Sequence, residues 1–225
     1  MPVRAGGAKR VPAAMTSTAA RLRTTRIGTL DIAYDDRVLR PRPWTAAHAA
    51  WAAEVLEEAP PGPVLELFCG AGHIGLLSVL GSDRHLVAVD LDPVACDYAR
   101  ANAVAAGLGA VVEVRNADLA DALAADERFP VVVADPPWVE SGRTGDFPED
   151  PVTAIDGGPD GLALARRALE VARGHLLPDG VMLLQLGSLE QVAEVRSTTG
   201  TGLVVEEVRQ PDPTGVVVCV RRTGG

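Results

Sequence analysis

Val131-Val132-Val133-Ala134-Asp135-Pro136-Pro137-Trp138 is the stretch on which the fold turns. Three β-branched residues and an alanine predict a short, wholly apolar strand over 131–134. The strand stops abruptly. Proline has no N–H to give to a sheet ladder and its ring fixes φ, so the chain must leave the sheet at Asp135. In open α/β sheets the carboxyl ends of the strands are where ligands bind. Asp135, Pro136, Pro137 and Trp138 therefore present a carboxylate, prolyl carbonyls and an indole face at that edge. Such a set accepts hydrogen bonds from an –NH₂ group and stacks on its planar π-system. These four residues are the candidate catalytic set.

Outward from this stretch the same pattern repeats. Apolar strands at Val64–Phe68, Leu86–Val89, Val111–Val114 and Val181–Leu186 alternate with helical stretches near 73–80, 93–106, 160–176 and 189–196. Strands alternating with helices predict a parallel sheet covered on both faces. The end differs: Leu203–Arg209 and Gly215–Arg221 are separated only by Gln210-Pro211-Asp212-Pro213-Thr214, too short for a crossover helix, so they must pair antiparallel. The expected architecture is a doubly wound, Rossmann-like α/β fold. Its mostly parallel seven-stranded sheet closes with a C-terminal antiparallel hairpin strand. Upstream, Arg26–Tyr34 reads as a short strand or hairpin and Pro41-Arg42-Pro43 as a break. Thr45 reads as the N-cap of a helix reaching Glu58, with Ala46, Ala49, Ala50, Ala53 and Leu56 on one face.

Between the first of these strands and its helix lies Glu66-Leu67-Phe68-Cys69-Gly70-Ala71-Gly72-His73-Ile74-Gly75. Gly70, Gly72 and Gly75 fit G-x-G-x-x-G. Glycine lets backbone approach a ligand closely, and a helix N-terminus offers free N–H groups. Asp90 ends the second strand, where a carboxylate accepts both ribose hydroxyls. Dinucleotide dehydrogenases share this pattern. Two acids turn the reading away from them. Glu66 would repel a pyrophosphate and suits a cationic amino-acid tail. Asp118 follows the third strand, where it either accepts an adenine amino group or caps the next helix. Ammonium, ribose and adenine without phosphate are the demands of S-adenosylmethionine. Cys69 reads as a small packing residue, because nothing nearby in sequence activates it.

Composition narrows the class. The 225 residues fit one domain, with residues 1–25 an irregular, flexible basic arm and 26–225 the folded unit. Residues 1–42 carry nine Lys/Arg against three acids, and the remainder twelve against twenty-seven. An acidic body does not suit broad contact with nucleic-acid phosphates, so a nucleic-acid partner is not favoured. No apolar run is long enough for a membrane helix, so no membrane partner is expected. Cys69, Cys96 and Cys219 are odd in number and far apart, which fits a reducing, cytoplasmic setting and no disulfide framework. His48, His73, His85 and His175 show no paired spacing, so no metal site is expected.

Taken together, these residues resemble a class I S-adenosylmethionine-dependent methyltransferase. More narrowly, the chain resembles the HemK-type family, the N5-glutamine methyltransferases of peptide release factors. Val38-Leu39-Arg40-Pro41-Arg42-Pro43-Trp44-Thr45 is similar to the family's V-L-x-P-R-P-x-T, and Val64–Leu76 to its cofactor loop. Asp135–Trp138 is similar to its N-P-P-Y. Ala154–Leu162 and Leu177–Gly180 are similar to its A-L-x-G-G-x-D-G-L and L-x-P-G-G. The likeness spans roughly 35–195, leaving no room before it for the family's N-terminal helical domain. It implies S-adenosylmethionine as cofactor, held by Glu66, Phe68, Cys69, Gly70, Ala71, Gly72, Asp90, Leu91, Asp118, Leu119 and Asp135. The sequence departs from the family at three points: Asp135 for Asn, Trp138 for Tyr, and Phe68 for the loop's first glycine. Asn donates and accepts, whereas ionised Asp only accepts. Asp-Pro-Pro-Trp also occurs in adenine N6-methyltransferases of nucleic acids.

The chemistry implied is methyl transfer from a sulfonium to nitrogen. Asp135 and the Pro136 carbonyl would accept both N–H bonds, and Trp138 would stack on the acceptor. Residues 139–158 form a long polar loop, read as a substrate lid. Three readings stand: a protein side-chain amide methyltransferase, a methyltransferase of an exocyclic amine in a nucleic acid or small molecule, and a cofactor-binding protein without catalysis.

Overall fold

The computed structural model describes residues 21–200, 202–212 and 215–223. A two-stranded antiparallel ribbon, β1 (Arg23–Ile27) and β2 (Leu30–Tyr34), leads into α1 (Thr45–Glu58). Then follow β3 (Val64–Leu67), α2 (His73–Val79), β4 (Leu86–Asp90), α3 (Pro93–Ala105), β5 (Val112–Asn116) and β6 (Phe129–Ala134). A 3₁₀ turn (Ser141–Asp146), the one-turn α4 (Val152–Ile155), α5 (Ala163–His175) and β7 (Leu176–Leu186) come next. The chain ends with α6 (Leu189–Thr198), β8 (Leu203–Asp212) and β9 (Gly215–Arg222).

The main sheet has seven strands in the order β5-β4-β3-β6-β7-β9-β8. All pairs from β5 to β7 are parallel, and β9 enters antiparallel between β7 and β8. Strand alternation explains the two layers. Val131 and Val133 join Ala49, Leu56, Ile74 and Ala99 on the face covered by α1, α2 and α3. Val132 and Ala134 join Ala165, Leu169, Val192 and Val195 under α5 and α6. The chain winds outward from β3 in both directions, so the switch point lies between β3 and β6.

Several boundaries differ from expectation, each for a local reason. Most of the expected basic arm lies outside the described residues, but Arg23–Thr25 belong to β1 and not to the arm. Phe68 is not in β3, because its φ of +59° turns the chain off the sheet. β6 starts at Phe129, and Pro130 is accommodated by a register shift against β7, the kind of place a strand tolerates proline. Helix α1 is capped at Trp44 and not at Thr45, and without a side-chain bond. Its buried face is Thr45, His48, Ala49, Trp51, Ala52 and Leu56, rotated from the expected stripe.

Asn102 on α3 ties the ribbon to the sheet edge. Its Nδ2 donates to Ala33 O (3.0 Å) and Ala71 O (2.9 Å), while its Oδ1 accepts from Ala33 N (2.8 Å). Asn102 is 2% exposed, so water cannot replace it. Asn102→Ala is expected to cost about 3 kcal/mol by stranding these groups. That is a fall of about 6–12 °C in unfolding midpoint for a chain of this size, read by calorimetry. An unchanged midpoint would mean that apolar contacts alone hold the ribbon.

Candidate active site

Leu67 of β3 pairs in register with Val89 of β4 and with Ala134 of β6. The next residues, Phe68, Asp90 and Asp135, therefore leave the sheet side by side at its carboxyl edge. They open onto a cavity of about 520 Å³, within the range of small-molecule sites. Cys69, Gly70 and Ala71 line its floor. Leu91, Asp118, Leu119 and Pro137 form its walls.

The loop after β3 is shaped by left-handed backbone at Phe68, Gly70 (+51°) and Gly72 (+83°). At Phe68 this costs strain that a glycine would not, and its ring packs against the core beneath α5. A Cβ on Gly70 would meet nothing within 4 Å, so the loop leaves open space there. Gly70 N donates to Asp90 Oδ2 (2.8 Å) and Asp92 N to Asp90 Oδ1 (2.9 Å). These bonds fix the Asp90 carboxylate at the cavity wall with lone pairs to spare. Burial raises its carboxyl above the ordinary range.

Glu66 sits elsewhere than expected. It lies behind the loop and not on the cavity wall, is 2% exposed, and its Oε1 accepts from Gly75 N at 2.8 Å. A Cβ on Gly75 would collide with Glu66 Oε2, which has no partner of its own. Burial pushes the carboxyl up to about 8, so it is protonated at neutral pH and braces the loop as a neutral acid. Cys69 is buried, and the neighbouring Cys96 thiol and burial raise its thiol well above its ordinary value, as an inert packing residue requires.

Asp118 stands on the opposite wall, half-exposed, accepting from Ala120 N (2.9 Å) and from Arg167. Asp135 is half-buried and no hydrogen bond engages its carboxylate among the described residues. Burial alone pushes it up to about 7. Pro136 is buried and off the cavity wall. Trp138 also turns away. Its ring lies on Gly187, where a Cβ would come within 2.9 Å of Cζ3, and it faces a second cavity.

Three arrangements had no signal in the sequence because their partners are far apart along it. Arg42 donates to Asp150 (2.6 Å) across 108 residues, pinning the 139–158 loop at the cavity mouth. Thr45 Oγ1 donates to Arg42 O (2.6 Å) and so accepts from His73 Nε2 (2.9 Å). Burial pushes His73 down to about 4, keeping it neutral. Gln191 Nε2 donates to Trp138 O (3.0 Å) while its Oε1 accepts from Gly187 N (2.7 Å), fixing the residue after the two prolines.

A family model described as the methyltransferase small domain matches residues 49–149. The chain is 32% identical to the ribosomal protein uL3 glutamine methyltransferase of Bordetella pertussis, over 80% of this chain and 60% of that protein. It is 33% identical to the release factor glutamine methyltransferase of Deinococcus radiodurans, over 88% of this chain and 72% of that protein. The chain belongs to this HemK-type glutamine methyltransferase family. The HemK-type chain spans less than two thirds of the length of the uL3 relative. Its fold is also that of the hMettl16 catalytic domain solved with the MAT2A 3′UTR hairpin 6: TM-score 0.64, 14% identity, 87% of this chain and 76% of that one.

The cofactor of this class is S-adenosylmethionine, and the residues present fit it. Asp90 is a pre-positioned acceptor at a strand end, and Gly70 leaves room for close approach. Among the described residues no basic side chain bonds Asp90 or Asp135, so these two carboxyl groups remain open to a cation. Among the described residues no cluster of metal-binding side chains occurs. Asp90→Ala should weaken S-adenosylmethionine binding by about 2–3 kcal/mol, the scale of hydrogen bonds to a charged group. Calorimetry on the folded variant checks this. Unchanged affinity would return Asp90 to a purely structural turn.

Proposed function

We propose that this protein is an S-adenosylmethionine-dependent N-methyltransferase whose acceptor is a side-chain amide of a protein, most simply glutamine. The observation that carries the reading is Asp135: a half-buried carboxylate with no hydrogen-bonding partner among the described residues, facing the same cavity as Asp90. The names of the relatives support the amide as acceptor. The folded unit, from β1 at Arg23 onward, acts as one catalytic domain. Three free, buried thiols suit a cytoplasmic setting. No described helix is long and apolar enough to cross a membrane.

The bound cofactor supplies an electrophilic methyl group. The chain's own residues then have two tasks. An amide nitrogen is a poor nucleophile because its lone pair is delocalised. Asp135, ionised, accepts an amide N–H and draws the lone pair toward nitrogen. With its titration near 7 it is also well placed to take the proton that the product must lose. Pro137 supplies an apolar surface beside it, since Trp138 is turned away. Most of the acceleration comes from holding acceptor and donor in line.

The rival acceptor, an exocyclic amine of a nucleic acid, draws support from Arg37, Arg40, Arg42 and Arg167 at the cavity. Three of these are already neutralised by Asp35, Asp150 and Asp118. That leaves little positive field for phosphates.

Methyl transfer to a glutamine peptide tests the reading. Activity should rise with pH through about 7, because Asp135 must lose its raised proton to accept the N–H. Asp135→Asn should keep activity and lose that inflection. Asp135→Ala should lose about a hundredfold or more in rate while binding cofactor as before. Equal activity of all three on every acceptor would leave Asp135 as a strand terminator.

A further inference from the structure

The second cavity, of about 490 Å³, begins where the cofactor cavity ends. Asp135 and Pro137 face the first; Trp138 and Val139, next along the chain, face the second. The tetrapeptide is thus a shared wall, and a polypeptide crossing it reaches both sides. The floor is fixed. Trp138 lies on Gly187, and Gln191 binds Trp138 O and Gly187 N together, so the indole is held half-buried with one face toward the cavity. Phe147 and Leu162 extend the apolar surface.

The rim is acidic. Glu140, Asp160, Glu190 and Glu194 line it against Arg143 alone. Arg166 engages Asp160 (2.8 Å) and Glu194 (3.8 Å), and Arg143 engages Asp146 (3.3 Å). Glu140 and Glu190 are exposed and form no ion pair among the described residues. Two uncompensated carboxylates beside an anchored indole form the setting that a guanidinium or ammonium seeks, through ion pairing and cation–π contact.

We propose that this groove docks an arginine- or lysine-bearing segment of the acceptor polypeptide, next to the residue that is methylated. The proposal rests on the protein-amide reading above and names the chemistry of its partner. Charge complementarity selects the occupant. The acidic rim repels nucleic-acid phosphates, and the aromatic floor favours a long cationic side chain whose stem packs as its head group is neutralised.

The test uses the full chain saturated with S-adenosylhomocysteine and two fluorescent peptides. One has a central glutamine flanked by arginines; its twin carries neutral citrulline in their place. The arginine peptide should bind more tightly, and Glu140→Gln/Glu190→Gln should weaken it about fivefold, the scale of two exposed ion pairs. The citrulline peptide should be indifferent to the change. In turnover with S-adenosylmethionine, KM for the arginine peptide should rise in parallel at unchanged kcat. Equal binding of the two peptides, or no effect of the double substitution, would overturn the groove. Methyl transfer without charge dependence would overturn the groove and keep the amide reading. Charge-dependent binding without methyl transfer would keep the groove and overturn the amide reading.

Discussion

Three carboxyl groups stand at or behind the ends of three adjacent parallel strands, and no basic side chain among the described residues bonds any of them. Asp90 takes backbone N–H groups, Glu66 takes one, and Asp135 takes none. Burying unpaired carboxylates is costly, and the raised pKa of each records that cost. The surrounding chain has cations to spare for neutralisation. Arg37, Arg42 and Arg167 lie on the same cavity, yet each is paired with an acid other than these three, Asp35, Asp150 and Asp118, and Arg40 bonds none of the three carboxyl groups. A site that keeps basic side chains off the carboxyl groups at its strand ends is complementary there to a small cation. It is a poor match to a phosphate. The glycine loop, which by pattern alone fits either kind of nucleotide, is therefore decided by electrostatics.

The same edge explains how much of the molecule was legible in the sequence. Val131–Ala134 and the other apolar runs declare buried strands, and the prolines after Asp135 declare where the chain must exit. Residues whose role follows from leaving a strand, such as Asp90 and Asp135, could be placed from local sequence alone. The face of helix α1 could not, because six alanines spread around it mark no one stripe, and its buried face includes Trp51 and His48. For Trp138 the aromatic type predicts stacking but not direction, and the ring turns from the acceptor side. Direction came from Gly187, nearly fifty residues away, which alone leaves space for the ring. Asn102, Gln191 and the Arg42–Asp150 pair share this character. They are polar contacts between distant segments, and no local periodicity encodes them.

Those distant contacts hold the site in place. The loop after Trp138 is tied at its base by Val139 N to Ile155 O (2.9 Å) and Gly157 N to Val139 O (2.8 Å). Near its tip it is tied by Asp150 to Arg42, whose carbonyl in turn takes the Thr45 hydroxyl. A long polar loop with both base and tip fastened is a wall of the cavity in this conformation, and opening it requires breaking a largely buried ion pair. Such a pair contributes more to fixing one geometry than to overall stability. The segment Pro41–Pro43 thus belongs to the site as much as the strand ends do.

Burial also bears on the replacement of asparagine by Asp135. An ionised aspartate only accepts hydrogen bonds, but one whose titration lies near 7 is divided between two forms at neutral pH. Its neutral form carries an O–H donor and a C=O acceptor, but that acceptor draws on an amide N–H less strongly than a carboxylate does and cannot take a proton as a carboxylate can. Its ionised form accepts the N–H alone and can take a proton. A cation entering the cavity lowers the carboxyl's pKa and favours the ionised form. On the proposed reading the ionised form both draws on the amide N–H and takes the product proton, and its population is set by the burial of this one side chain.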